Sequence, residues 1–201
     1  MRTLVIGGHT RNIGKSALVV DVIRALPAAA WTAVKITQCR AGVCPLHGES
    51  CACAPSTHTV VIDEEHERSD RADTTRFLAA GARRAFWMRC QQGSMAEAMP
   101  SLRQALAGAG NVVIESNTLL EFLRPELYLV VLDPRCEDFK ASARLVLDQA
   151  DAFVLRAPWV ESPWGDISKH LFAGRPAFLQ PLDDPLPEAL VELVRCRVVA
   201  M

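Results

Sequence analysis

Near its start the chain reads Leu4-Val5-Ile6-Gly7-Gly8-His9-Thr10-Arg11-Asn12-Ile13-Gly14-Lys15-Ser16-Ala17-Leu18-Val19-Val20. No other stretch constrains the fold as strongly. Leu4-Val5-Ile6 is a short apolar run of the kind that forms a buried strand. Gly7 and Gly8 turn the chain. After Gly14-Lys15-Ser16, the apolar residues Leu18, Val19, Val22, Ile23 and Leu26 line one side of a helix. Strand, glycine loop, Gly-Lys-Ser and helix, in that order, is the layout of a phosphate-binding loop. The free N–H groups of a helix start, and the positive end of its dipole, attract phosphate. In such a loop Lys15 reaches the β- and γ-phosphates and the Ser16 hydroxyl binds Mg²⁺. The expected nucleotide-binding residues are therefore Gly8, His9, Thr10, Arg11, Asn12, Ile13, Gly14, Lys15, Ser16 and Ala17.

The usual pattern, Gly-x-x-x-x-Gly-Lys-Ser/Thr, puts its first glycine where this chain has His9, one residue after Gly8. The loop is then either one residue longer or bends without that glycine. Two roles are open to His9: contact with phosphate or base, or capping of the loop. Arg11 either meets phosphate, directly or across a homodimer interface, or is an ordinary exposed arginine.

Alternation sets the rest of the fold. Strand candidates fall at 3–7, 31–37, 58–63, 84–89, 111–115, 126–132, 152–156 and 176–179. Helical patterns fall at 15–26, 71–82, 94–107, 138–149 and 186–195. Alternating strands and helices predict an α/β fold, a three-layer, mainly parallel sheet with helices on both faces. Val112-Val113-Ile114 and Leu129-Val130-Val131-Leu132 are continuous apolar runs, as central parallel strands should be. With 201 residues, half of them hydrophobic, the chain is expected to form a single nucleotide-binding domain over 1–201. Its 22 basic and 23 acidic residues give no general attraction to nucleic acid or anionic membrane. No apolar run approaches the ~20 residues of a membrane span, and Met1-Arg2-Thr3-Leu4 lacks signal-peptide anatomy. The expected setting is the cytosol.

Two irregular segments interrupt the alternation, at 38–57 and 157–175. Cys39, Cys44, Cys51 and Cys53 cluster in the first, with His47 among them and His58 close behind. Seven cysteines in a cytosolic chain favour metal or redox chemistry over disulfides. Four thiolates, or three and an imidazole, would hold a tetrahedral Zn²⁺. The expected ligands are Cys39, Cys44, Cys51 and Cys53, with His47 in reserve. An iron–sulfur cluster and a loop of unrelated thiols are the alternatives. Cys90, Cys136 and Cys196 are scattered in or beside apolar segments.

A Mg²⁺-nucleotide site needs carboxylates at the C-terminal ends of parallel strands. Glu115 closes the apolar strand Val112-Val113-Ile114 in the manner of a Walker B acid. Asp63 closes Val60-Val61-Ile62. Asp73 opens a helix, either as a ligand or as its N-cap. The polar stretch 64–71 before it is expected to be mobile and to deliver Asp73 as a switch loop does. Asp133 is a fourth candidate.

The order of these motifs resembles the MobB-type P-loop proteins, nucleotide-binding adaptors of molybdopterin-guanine dinucleotide biosynthesis. The shared features are the phosphate loop, the lysine strand Trp31-Thr32-Ala33-Val34-Lys35, and the helix Ala72-Asp73-Thr74-Thr75-Arg76 leading to Ala80-Gly81-Ala82. They continue with Val113-Ile114-Glu115 and the late strand Ala152-Phe153-Val154-Leu155. The resemblance covers residue 3 to about 156. It implies a P-loop NTPase fold in which Gly14, Lys15, Ser16, Asp73 and Glu115 form one nucleotide–Mg²⁺ site, with Lys15, Glu115 and Asp73 as catalytic candidates. Ser116 stands where that family has glycine, and Arg156-Ala157-Pro158-Trp159 where it has the guanine-reading segment. The wider class includes metal-delivery GTPases of the urease and hydrogenase maturation type.

The favoured reading is a nucleotide-binding protein for ATP or GTP with Mg²⁺. It would act as a slow NTPase or adaptor beside a cofactor-biosynthesis enzyme or metalloenzyme. Nucleotide-gated metal delivery, a small-molecule kinase and a non-catalytic interaction module are the other readings. Hydrolysis and phosphoryl transfer are both left open.

Overall fold

A computed structural model describes residues 1–40, 42–49, 58–159 and 163–199. Eight strands form one sheet: β1 (Arg2–Gly8), β2 (Thr32–Cys39), β3 (Val60–Glu64), β4 (Arg84–Gln91), β5 (Asn111–Glu115), β6 (Leu127–Leu132), β7 (Ala152–Leu155) and β8 (Ala177–Leu179). Their order is β3-β4-β2-β5-β1-β6-β7-β8. Every pairing is parallel except that of β3 with β4. Among the described residues, five α-helices are interspersed: α1 (Lys15–Ala25), α2 (Asp73–Ala79), α3 (Met95–Ala105), α4 (Ala141–Arg144) and α5 (Glu188–Val198).

Strand periodicity divides the core. Side chains alternate across the sheet, so Leu4 and Ile6 join the cluster packed by α1, α2 and α5. Val5, Val112 and Ile114 join the cluster packed by α3 and α4. Helices thus cover both faces, and β5 and β6 are buried along their whole length, as strands covered on both faces must be.

All eight expected strands form. The helix expected over 138–149 does not form as one piece. It breaks into α4 and a 3-10 turn at Leu147–Gln149. Lys140 is in extended backbone (φ −67°, ψ 144°) and stands as the N-cap of α4, with its N–H on the His9 carbonyl at 2.8 Å. The orientation of β3 is the other departure. It is an edge strand running against β4, where a half-buried, short strand is tolerated in either direction.

The topology fixes where a ligand can sit. From β1 the chain moves outward to β2, β3 and β4, returns to β5, and then continues on the other side of β1 with β6. Such a reversal opens a crevice at the carboxyl ends of the strands. Among the described residues, no helix is long and apolar enough to cross a membrane.

Candidate functional site

The crevice is a cleft of about 920 Å³, lined by the loop after β1, the ends of β2 and β5, and the start of α2. Between β1 and α1 the chain makes the turn that the sequence predicted. Asn12 and Gly14 take left-handed backbone angles, φ 57° and 83°, which asparagine tolerates and glycine adopts freely. A Cβ at Gly14 would also lie 2.5 Å from Leu182 Cδ2 and 3.0 Å from Arg156 Nε. No side chain caps α1, and Gly14, Lys15, Ser16 and Ala17 all line the cleft. The N–H groups of its first turn therefore face the crevice, as anion binding at a helix start requires. A mainly parallel sheet with helices on both faces, carrying this loop between its first strand and first helix, has the layout of an α/β P-loop fold.

The Lys15 side chain lies back along the loop and donates to the Thr10 carbonyl at 2.6 Å. Burial pushes its ammonium down to about 8; Glu115 opposes the shift, and Lys140 and Lys35 add to it.

Beside Lys15 is a compact polar cluster. Glu115 lies in register with Ile6 of β1 and Lys35 of β2. Its carboxylate accepts from Ser16 Oγ at 2.6 Å and is 3.7 Å from Lys35 Nζ. Lys35 also reaches Ser16 Oγ at 3.4 Å and pairs with Asp73. Asp73 is not the N-cap of α2. That position is Ala72, where the Thr75 hydroxyl accepts from the Ala72 N–H and donates to its carbonyl. The Asp73 carboxylate is thereby left to the cluster. Burial works to raise its pKa, but the Lys35 ammonium outweighs burial and holds it below the ordinary value. Asp73 stands in this cluster directly, with α2 already bringing it there. Three oxygen donors, Ser16, Asp73 and Glu115, are thus gathered round one ammonium at the start of α1. Oxygen sets of this kind suit Mg²⁺.

The loop rests on three fasteners. Asn117 accepts from the Gly8 N–H and donates to its carbonyl, both at 2.9 Å. His9 is fully buried. Its Nδ1 donates to the Asp138 carbonyl at 2.8 Å and its Nε2 accepts from the Asp133 N–H at 3.1 Å. A carbonyl can only accept and an N–H can only donate, so the ring is held as the neutral Nδ1–H tautomer. Burial keeps its pKa below the ordinary value. The ring packs against Trp164 and Phe139, with centroids 4.8 and 5.3 Å away. Both ring nitrogens of His9 are thus taken up by the segment after β6, and its backbone N–H by the Val131 carbonyl at 3.2 Å. Arg156 is the third fastener. Though 2% exposed, it donates to the carbonyls of Ile13 (3.2 Å), Gly14 (2.6 Å) and Gln180 (3.0 Å), and to Gln180 Oε1 (2.7 Å). Position 156 therefore supports the loop from beneath.

The remaining candidates lie apart. Asp63 pairs with Arg89 on the edge of the sheet. Asp133 pairs with Arg135, which holds its carboxyl below the ordinary range. In the cysteine loop, Cys44 is brought to His47 and His58. Cys39 is buried nearby, and burial pushes its thiol up. Cys51 and Cys53 lie outside the described residues. Lys35, Asn117, Arg156 and His58 carry more of the architecture than the sequence singled out. Lys35 and His58 had a visible signal, one as the end of the lysine strand in the MobB-type resemblance and the other beside the cysteine cluster.

No family model and no curated protein matches the chain. Among solved structures it is similar to LpxK from Aquifex aeolicus in complex with ATP, at 14% identity over 89% of this chain and 53% of that one, with a TM-score of 0.49. It is also similar to HypB from Helicobacter pylori in complex with nickel, at 14% identity over 96% of this chain and 83% of that one, with a TM-score of 0.47. The chain spans about half the length of the LpxK chain. These are likenesses of architecture, and what the two proteins bind is said of them alone.

Proposed function

We propose that the chain binds a nucleoside triphosphate with Mg²⁺ and acts as a slow NTPase or nucleotide-dependent adaptor. Lys15 and the N–H groups from Arg11 to Ser16 take the phosphates. Ser16, Glu115 and Asp73 take the Mg²⁺, directly or through water. The observation that carries this reading is the convergence of Ser16, Lys35, Asp73 and Glu115 at an uncapped helix start. Ser16, Glu115 and Asp73 would hold the Mg²⁺, and Lys35, now paired with the two carboxylates, would be placed to meet phosphate. The resemblance to MobB-type adaptors supports a place in cofactor biosynthesis, with a cofactor-biosynthesis enzyme or metalloenzyme as partner. Arg156 is committed to loop carbonyls, so guanine selectivity of that family's kind has no support, and ATP and GTP are equal candidates.

A second reading, phosphoryl transfer to a small anionic acceptor, is favoured by one observation. Arg11, Arg40 and Lys140 line the same cleft beyond the ion-paired cluster, and their charges act on one another. Burial lowers the Lys140 ammonium, and Arg11 and Arg40 add to the effect.

A thermal-shift panel tests both readings. ATP, GTP and their diphosphates are offered with and without Mg²⁺, alone and with phosphorylated metabolites. A ligand at ~100 times its dissociation constant stabilises the fold by about 2.7 kcal/mol. Stabilisation by triphosphate that needs Mg²⁺ and disappears in Lys15→Ala is expected. Equal binding by Lys15→Ala rejects the loop assignment. Nucleotide consumption that appears only with one metabolite selects the transferase reading.

A further inference from the structure

The segment between β2 and β3 leaves and rejoins the sheet at one place. The Gln92 N–H donates to the Cys39 carbonyl at 2.9 Å, and the Gln91 N–H donates to the Thr59 carbonyl at 3.0 Å. Both arms of the loop are thereby fastened to the end of β4. Within the first arm, the Gly48 N–H donates to the Cys44 carbonyl and the Cys44 N–H to the Glu49 carbonyl, each at 2.8 Å. This closed turn puts Cys44 and His47 on the same side, facing the arm that carries His58.

The result is a group of three metal-ligating side chains. Cys44 Sγ is 3.7 Å from His58 Nδ1. The rings of His47 and His58 meet edge to face, with centroids 5.9 Å apart. One ligand atom from each of the three residues lies within 4.8 Å of the other two. In a tetrahedral zinc site the sulfur-to-nitrogen edge is about 3.6 Å, from bond lengths of ~2.3 and ~2.05 Å. The Cys44–His58 pair already has that spacing. A thiol–imidazole hydrogen bond accounts for Cys44 and His58, and one metal ion would take a ligand atom from all three residues.

We propose that Cys44, His47 and His58 bind a borderline-soft divalent metal ion, zinc in the first instance. The donor chemistry separates this site from the Mg²⁺ cluster. One thiolate and two imidazoles select zinc, cobalt or nickel, whereas Ser16, Asp73 and Glu115 offer only oxygen. Of the ligands that the sequence suggested, Cys44 and the reserve ligand His47 are in this group, His58 joins them from beyond the cysteine cluster, and Cys51 and Cys53 lie outside the described residues.

The test uses the full chain without an affinity tag, stripped of metal with a chelator and titrated with Co²⁺ and then Zn²⁺. Saturation at about one equivalent is expected, with a sulfur-to-cobalt charge-transfer band. Cys44→Ser should remove that band. His47→Ala and His58→Ala should each weaken zinc binding by more than the roughly 10–100-fold that loss of an outer-sphere partner costs. Cys196→Ser, exposed on α5, should change nothing. Circular dichroism of each metal-free variant checks that it is folded; if Cys44→Ser is not, the two histidine variants decide. The proposal is overturned if the wild-type chain shows no saturable uptake. It is equally overturned if the His47→Ala/His58→Ala double variant binds as the wild type does, which would place the ion on other thiols such as Cys39, Cys51 and Cys53.

Discussion

In the proposed site Lys15 meets two opposed demands: a charge would hold phosphate, yet the side chain is buried where charge is costly. In the folded chain its pKa is about 8, against an ordinary value of 10.5. Between those two values the unfolded chain keeps a proton that the folded chain has released. The protein without ligand therefore gains stability as pH rises through that window, and the buried ammonium is a cost below it. A bound polyphosphate reverses the balance and restores the proton. Nucleotide binding measured near or above the folded pKa should draw protons from the buffer, and binding measured well below it should draw none. Calorimetry in buffers of different ionisation enthalpy reads this directly. Proton uptake that ignores pH, or that persists in Lys15→Arg, would sink the assignment. The Gly-Lys-Ser signal was legible in the sequence because its chemistry is local. His9 was legible only as a departure from the pattern. Its partners, Asp133 and Asp138, are 124 and 129 residues away, and no local pattern can announce a bond of that span.

At the scale of elements, the phosphate loop is a short segment held from several sides. Arg156, at the end of β7, reaches under it to two carbonyls. Gln180, which accepts two further bonds from Arg156, donates to Asp21 of α1 at 3.0 Å. Loop, helix and the segment after β8 are therefore one connected unit. Removing the guanidinium takes its donors from the Ile13 and Gln180 carbonyls, each loss costing about 1–3 kcal/mol, while the Gly14 carbonyl keeps its bond from the Leu18 N–H at 3.0 Å. Arg156→Leu is expected to lower the urea midpoint substantially and to weaken nucleotide binding without touching nucleotide. Arg156→Lys should recover only part of the loss, because an ammonium lacks the planar fork of donors. A Leu variant as stable as the wild type would show that the loop stands without this support. The sequence showed position 156 only as a missing base-reading segment, since an arginine after a strand is silent about what it will touch. The elements themselves were more legible. Continuous apolar runs marked the strands, whereas periodicity does not encode the break after α4, where Val146 leaves helical backbone angles (φ −124°, ψ 7°).

At the scale of the molecule, the sheet order decides which acid does what. Glu115 ends β5, clamped between β1 and β2 and 8% exposed, so its position is set by the least deformable part of the fold. Asp73 begins α2, a helix of seven residues packed on β4 and β2, and its carboxylate is held by Lys35 and Arg76 on a more exposed surface. A group fixed by the central sheet serves every nucleotide state alike. A group on a peripheral helix, held by an ammonium that phosphate also attracts, responds to whether the γ-phosphate is there. Glu115→Gln should therefore weaken Mg²⁺-dependent binding of diphosphate and triphosphate together. Asp73→Asn should chiefly reduce hydrolysis, or narrow the difference between the two affinities. Measuring both affinities for both variants separates the roles. Should Asp73→Asn weaken both states equally while Glu115→Gln leaves them unchanged, the Mg²⁺ would lie on the α2 side of Lys35, and the central strand would serve only to position Ser16.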